Sequence, residues 1–184
     1  MIMHIHFIGS NGASMRVLKR LAENAGNTVS GSDRALSGHK KENVVGADLI
    51  VYTNAVSDDN VELKHARILG IETIERAEFL GVVMANFECV ISVAGTHGKT
   101  SACAYLAEIF AHRRPCLHIG GTVIGARFEN YKPHFAINEA CEYKRSFLLT
   151  KSKIALVLNI ERDHPDYYKD DSDYISAFHE YANL

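Results

Sequence analysis

Short apolar runs recur along this chain, each followed by a small-residue or polar turn and then by a longer stretch that is apolar on one face. The first run, Met3 to Ile8 (M-H-I-H-F-I), interleaves apolar residues with histidine and predicts a strand. A loop over 9–14 and a helix from Met15 to Asn24 follow, with Gly26 just past the helix end and a second strand over Asn27 to Ser30. Ala47 to Thr53 is a third strand, with Asn54 to Val56 as its exit loop. An amphipathic helix over Asp58 to Leu69, a strand over Ile71 to Ile74 and a helix over Arg76 to Met84 complete the first part. The second part opens with Val90 to Ala94, short and β-branched as a central parallel strand should be. A helix follows from Ser101 to His112, then strands at Pro115 to Ile119, Phe135 to Asn138 and Ile154 to Leu158, with a turn at Gly120-Gly121. Asp171 to Leu184 closes the chain as a helix with acidic residues at its start. Strands alternating with helices predict an α/β fold. The expected architecture is a Rossmann-like parallel-sheet domain at 1–86 followed by a P-loop α/β domain at 87–184.

Composition narrows the partners. The 184 residues are 47% hydrophobic and 23% charged, as in ordinary globular proteins, and the formal net charge is −2. That balance gives no bulk electrostatic case for nucleic acid or an anionic membrane. No apolar run approaches the length of a membrane span, and no signal peptide is visible. Cys89, Cys103, Cys116 and Cys141 form no C-x-x-C pair, which argues against a zinc ribbon and fits reduced thiols in a cytoplasmic setting.

The candidate chemistry centres on Gly95-Thr96-His97-Gly98-Lys99-Thr100-Ser101. Backbone N–H groups at a helix start attract anions, and Lys99 adds a full positive charge beside them. The hydroxyl of Thr100 can ligate the magnesium of a nucleoside triphosphate. Ala94 stands where the general P-loop pattern has its first glycine, so this is the shorter G-x-x-G-K-T form. Later strands deliver Glu139 and, after Asn159, the group Glu161, Asp163 and His164. Ends of parallel strands converge on a ligand, so Glu139 and His164 are candidate metal ligands with Thr100. Glu142, Glu161 and Asp163 are either supporting groups or surface charge.

The first loop, Gly9-Ser10-Asn11-Gly12-Ala13-Ser14, lies where a Rossmann-type domain receives a pyrophosphate, although it matches G-x-G-x-x-G poorly. Asp33 stands a little over twenty residues on, where an acidic residue either accepts from a ribose or another polar part of a nucleotide, or is a plain helix cap or loop carboxylate. His4 and His6 read as structural.

Together these segments resemble the Mur ligases. The resemblance rests on G-T-H-G-K-T-S, N-E-A-C-E-Y-K-R-S-F-L and L-N-I-E-R-D-H-P-D-Y-Y, with H-F-I-G-S-N-G-A-S-M, V-S-G-S-D, V-Y-T-N-A-V-S-D-D-N-V-E-L and E-R-A-E-F-L before them. It covers nearly the whole chain and is greatest for the alanine-adding branch. It implies a cytoplasmic ligase of peptidoglycan precursor synthesis, using ATP and Mg2+. ATP would phosphorylate the lactyl carboxylate of UDP-N-acetylmuramate, and the amine of L-alanine would displace phosphate from the acyl phosphate. By motif match, Lys99, Glu139 and His164 are the catalytic set, and Thr100, Glu139 and His164 hold magnesium. Gly95, Thr96, His97, Gly98, Lys99, Thr100, Ser101 and Asn159 bind ATP. Gly9, Ser10, Asn11, Gly12, Ser14 and Asp33 lie along the UDP moiety. A non-catalytic nucleotide-binding module and a murein-peptide ligase are the alternatives. Relative to the family, the first loop has lost glycines and the segment between Asp33 and Ala47 is shortened. The chain stops at Leu184, before the rest of the ATP domain and a third domain, so exposed apolar surface and self-association are expected.

Overall fold

A computed structural model describes residues 2–35, 38–120 and 134–184. Gly121 of the expected turn lies outside them. The chain divides into two compact units, Met1–Phe79 and Leu80–Leu184.

The first unit is built from β1 (His4–Ile8), α1 (Ala13–Asn24), β2 (Thr28–Ser32), β3 (Leu49–Tyr52), α2 (Val61–Ile68) and β4 (Glu72–Glu75), and runs into α3 (Arg76–Met84). Its sheet has the order β2-β1-β3-β4 with every pairing parallel. Helix α1 buries Met15, Leu18, Leu21 and Ala22, a helical spacing that turns one stripe inward. Helix α2 starts later than the pattern predicts because the Asn60 side chain caps it, accepting from the N–H groups of Glu62 and Leu63 at 2.9 and 3.2 Å. Strand β2 runs two residues past its expected end, so Ser30-Gly31-Ser32 is strand and Asp33 sits at its exit.

The short connection after β2 is held by a carboxylate. Glu62 is wholly buried; it accepts from Ser32 Oγ at 2.5 Å, His39 Nδ1 at 2.9 Å, the Lys40 N–H at 3.2 Å and Asn43 Nδ2 at 2.5 Å. These donors hold its carboxyl below the ordinary value against the opposing cost of burial. His4 and His6 both bond Ser30 Oγ at 2.8 Å, and His6 reaches Ser32 Oγ at 3.3 Å, so their structural reading fits.

The second unit contains β5 (Cys89–Ala94), α4 (Lys99–Ile109), β6 (Cys116–His118), β7 (Phe135–Glu139), β8 (Ile154–Val157) and α5 (Asp171–Ala182). Its sheet has the order β6-β7-β5-β8, again parallel throughout, so the strand before the glycine loop is internal. The α4 helix stops short of His112: Phe110 leaves helical geometry and the chain continues as a tight turn over Ala111–Arg113. Helix α5 docks through Tyr174, Ala177, Phe178 and Tyr181 onto Phe147 and Tyr168. The Phe147 and Tyr181 rings stack 4.6 Å apart. Strand β8 is an edge of its sheet, and Ile154, Val157, Leu158 and Ile160 on and after it are each more than 40% exposed.

Candidate functional site

The loop after β5 takes its shape from two glycines and from what lies against it. Gly95 has φ +138° and Gly98 φ +83°, conformations that side chains disfavour. A Cβ at Gly95 would also lie 3.1–3.2 Å from the backbone N and O of Asn159. Asn159, two residues beyond β8, fastens the loop from outside. Its Oδ1 accepts the His97 N–H at 2.9 Å, its Nδ2 donates to the His97 carbonyl at 3.0 Å, and its own carbonyl accepts the Thr96 N–H at 3.2 Å. Thr96 adds a second fastening. Its hydroxyl donates to the Glu161 carbonyl at 2.6 Å, accepts from the Glu161 N–H at 2.9 Å, and lies 2.9 Å from the hydroxyl of Tyr174.

Inside the loop, Lys99 folds back. Its ammonium donates to the carbonyls of Gly95 at 2.5 Å and Thr96 at 3.0 Å, and pairs with Glu142 at 2.9 Å to Oε2 and 3.2 Å to Oε1. Thr100, next in α4, places its hydroxyl 3.1 and 3.0 Å from the two carboxylate oxygens of Glu139, the last residue of β7. The Gly120 N–H also donates to Glu139, at 3.1 Å.

His164 stands in a different grouping. Its φ is +54°; its Nε2 lies 3.4 Å from Glu142 and 3.9 Å from Asp163, and its ring lies against Tyr143 with centroids 4.6 Å apart. One ligating atom from each of Glu142, Asp163 and His164 falls within 4.8 Å of the others. The expected trio of Thr100, Glu139 and His164 therefore divides: the first two touch, while the ion-pair partners of His164 are Glu142 and Asp163. The fit to magnesium is good at Thr100 and Glu139, where a hydroxyl and a carboxylate already converge, because magnesium takes oxygen ligands.

At the first loop, Asp33 accepts from the N–H groups of Asn11 and Ala35, both at 3.0 Å. Those two donors hold its carboxyl below the ordinary value. These two contacts tie the loop. Ser10 is buried beside Gly31, and Ser14 accepts from Arg76 at 3.3 Å. The guanidinium of Arg16 donates to the Asn11 carbonyl at 2.7 Å. Gly9 and Gly12 frame the turn, with the Gly12 N–H donating to the Gly9 carbonyl at 3.4 Å.

Residues 4–88 match the Mur ligase family catalytic domain, and residues 93–183 match the Mur ligase middle domain. The chain belongs to the Mur ligase family. It is 40% identical, over 98% of its length, to a UDP-N-acetylmuramate–L-alanine ligase of Acetivibrio thermocellus, covering 43% of that protein. Identity to the enzyme of the same name from Clostridium tetani is 41%, over all of this chain and 44% of that one. This family member thus spans less than half the length of the curated relatives it matches. The Clostridium tetani comparison runs over 202 positions against 184 residues here, so that relative carries residues this chain lacks.

Among solved structures, the MurC UDP-N-acetylmuramate–alanine ligase of Thermotoga maritima superposes with a TM-score of 0.86 at 27% identity. The match covers 98% of this chain and 47% of that one. A murein-peptide ligase from Neisseria meningitides superposes with a TM-score of 0.84 at 26% identity, covering 100% and 68%.

Two contributors, Tyr174 and Glu62, have no candidate role in the sequence, and Glu142 has two, a supporting group or surface charge. Glu142 is buried and paired to the loop lysine, Tyr174 reaches Thr96 from α5, and Glu62 anchors the first unit. Their signal was weak, because each stands in a stretch that also reads as a solvated helix start or helix face. His97 and Ser101 are both exposed, and His97 lies 3.6 Å from Glu161.

Proposed function

We propose that this chain supplies the UDP-sugar-binding and ATP-binding portions of a cytoplasmic ligase. The ligase joins L-alanine to UDP-N-acetylmuramate through an acyl phosphate, in the synthesis of peptidoglycan precursors. The observation that carries this reading is the convergence of Lys99, Thr100 and Glu139 at the C-terminal ends of two adjacent parallel strands, β5 and β7. The choice of alanine rests on the sequence relatives at 40–41% identity, since the fold matches the alanine and murein-peptide ligases about equally well. None of the four cysteines forms a disulfide, which suits a reducing compartment, and no described helix is long and apolar enough to cross a membrane.

In this reading Lys99 neutralises charge on the β- and γ-phosphates, and the backbone N–H groups at the start of α4 receive phosphate oxygens. Thr100 and Glu139 would hold a magnesium ion, and His164, with Asp163 beside it, would serve a second cation. Bound magnesium supplies charge neutralisation on the phosphate oxygens. The fastening of the loop by Asn159 and Thr96 keeps these donors aimed before any ligand arrives, which lowers the cost of ordering them. The loop of Gly9, Ser10, Asn11, Gly12 and Ser14, with Asp33, would lie along the UDP group.

Calorimetric binding of Mg-ATP and of UDP-N-acetylmuramate, measured separately, tests the reading. Both are expected to bind. Lys99→Ala should weaken ATP alone, by about 1.5–3 kcal/mol for a lost charge-assisted contact. Absence of binding by either ligand would overturn the assignment of that half of the site.

A further inference from the structure

The ammonium of Lys99 has three N–H donors and, among the described residues, three acceptor groups around it: the Gly95 carbonyl, the Thr96 carbonyl and the Glu142 carboxylate. Two of the three belong to the loop that encloses it and cannot leave without unwinding the loop. Only Glu142 is a separate side chain, and only Glu142 carries charge. The pair is well shielded, with the lysine side chain 14% exposed and the glutamate 2% exposed. Screening by water is therefore weak at this contact.

Resting on the nucleotide reading above, we propose that Glu142 competes with nucleotide phosphate for the Lys99 ammonium and so sets the affinity of the loop for polyphosphates. A phosphate oxygen can gain this ammonium only by displacing the carboxylate or by sharing it with a second negative charge. Glu142 cannot retreat by moving its backbone. Its carbonyl accepts from the fully buried Tyr168 hydroxyl at 2.5 Å and from the Arg145 N–H at 2.9 Å. Lys144 and Arg145, next along the chain, hold left-handed geometry with φ of 53° and 58°. Arg145 is fixed in turn by Asp173 at 3.0 Å and Glu180 at 2.6 Å on α5. What can move is the carboxylate itself, whose Oε1 already has His164 Nε2 at 3.4 Å. Glu142 is thus a positioning residue that acts through Lys99, unlike Glu139, whose oxygens face Thr100 and Gly120.

The test is calorimetric titration of the whole chain with Mg-ATP, Mg-ADP and AMP. Glu142→Gln keeps the size of the side chain and an oxygen acceptor for Lys99 but removes the charge. It should bind Mg-ATP roughly five- to tenfold tighter, the difference between a charge-assisted and a neutral competing hydrogen bond. The gain should shrink for Mg-ADP and vanish for AMP, which lacks the phosphates that Lys99 holds. In a Lys99→Ala background, adding Glu142→Gln should bring no gain. Glu142→Asp, one methylene shorter with its charge kept, should show a smaller gain in the same direction, and serves if the glutamine variant does not fold.

Unchanged or weaker Mg-ATP binding by a folded Glu142 variant, beside normal binding by the native chain, overturns this inference alone. An equal gain for AMP overturns it too, because a merely structural change would move all three ligands together. Failure of the native chain and the variants to bind any of the three overturns the nucleotide reading and this inference with it.

Discussion

Replacing Thr96 by valine separates the fastening of the glycine loop from its shape. Valine keeps the volume of threonine and removes the hydroxyl. That hydroxyl has one proton and two lone pairs, and all three are in use: it donates to the Glu161 carbonyl and accepts from the Glu161 N–H and the Tyr174 hydroxyl. Tyr174 is 1% exposed, so its hydroxyl has no route to water once Thr96 is gone. An unsatisfied buried donor costs about 1–3 kcal/mol, and the bonds to Glu161, nearer to solvent, add about 1 kcal/mol. The expected loss for Thr96→Val is therefore about 2–4 kcal/mol. Thr96→Ser keeps the hydroxyl and gives up one methyl, about 0.8 kcal/mol. Urea unfolding of the two variants measures the difference. Tyr174→Phe supplies the control: it should be costly in the native chain and nearly neutral in the valine background, where its partner is already gone. Equal stability of the valine and serine variants, or a Tyr174→Phe cost that ignores the residue at 96, would refute the assignment.

Acid should weaken the first unit. Burial holds the His6 imidazole below its ordinary value, against an opposing pull from Glu62, so the unfolded chain binds the extra proton first. Stability is then full above about pH 6.5 and falls as the pH drops through and below it; urea unfolding at pH 7.5 and 5.5 should show the decline, and His6→Gln should flatten it. Burial, aided by Glu139 for Cys103, pushes the thiols of Cys103 and Cys116 up to about 12, whereas Cys141 is exposed. Iodoacetamide at pH 8 should therefore label Cys141 in the folded chain and reach the other two only on unfolding, as peptide mass spectrometry would read. The open edge of β8, with Ile154, Val157, Leu158 and Ile160 exposed, should drive self-association. Sedimentation at roughly tens of micromolar should find species larger than a monomer, and Val157→Lys should reduce them; a monomeric native profile would count against it.

The strands and the glycine loop were legible because local chemistry decides them. Val90 to Ala94 is a short apolar, β-branched run followed by Gly95, and Gly98-Lys99-Thr100 opens an apolar helix, so strand, turn and helix follow from neighbours in sequence. Glu139 was legible as the polar residue that ends an apolar strand. The pairing of Glu142 with Lys99 was not, because a reversal at Lys144 and Arg145 creates it. Neither residue type favours left-handed geometry, so nothing local announces the turn. Glu62 looks like an ordinary acidic residue in a first helical turn; its burial comes from Ser32, His39 and Asn43, brought to it by folding. Helix ends moved where a cap or a backbone break, rather than apolar periodicity, sets the boundary, as at Asn60 and Phe110.

Ser10 and Gly31 sit one against the other, and their tolerance to change is therefore joint. A Cβ at Gly31 would lie 2.7 Å from the Ser10 Cβ, 3.0 Å from its Oγ and 3.2 Å from the Phe7 carbonyl oxygen. Alanine at 31 is thus barred while serine holds position 10. Glycine at 10 would remove the two tighter clashes and leave the close approach to Phe7. Each substitution alone loses something, a side chain's packing in one case and strand geometry in the other, whereas the pair together meets only the milder approach to the Phe7 backbone among the nearest contacts. A mutational scan of single changes would score Gly31 as immutable. A pairwise scan would find its tolerance dependent on residue 10, so that a lineage with glycine at 10 is less constrained at 31 than this chain is.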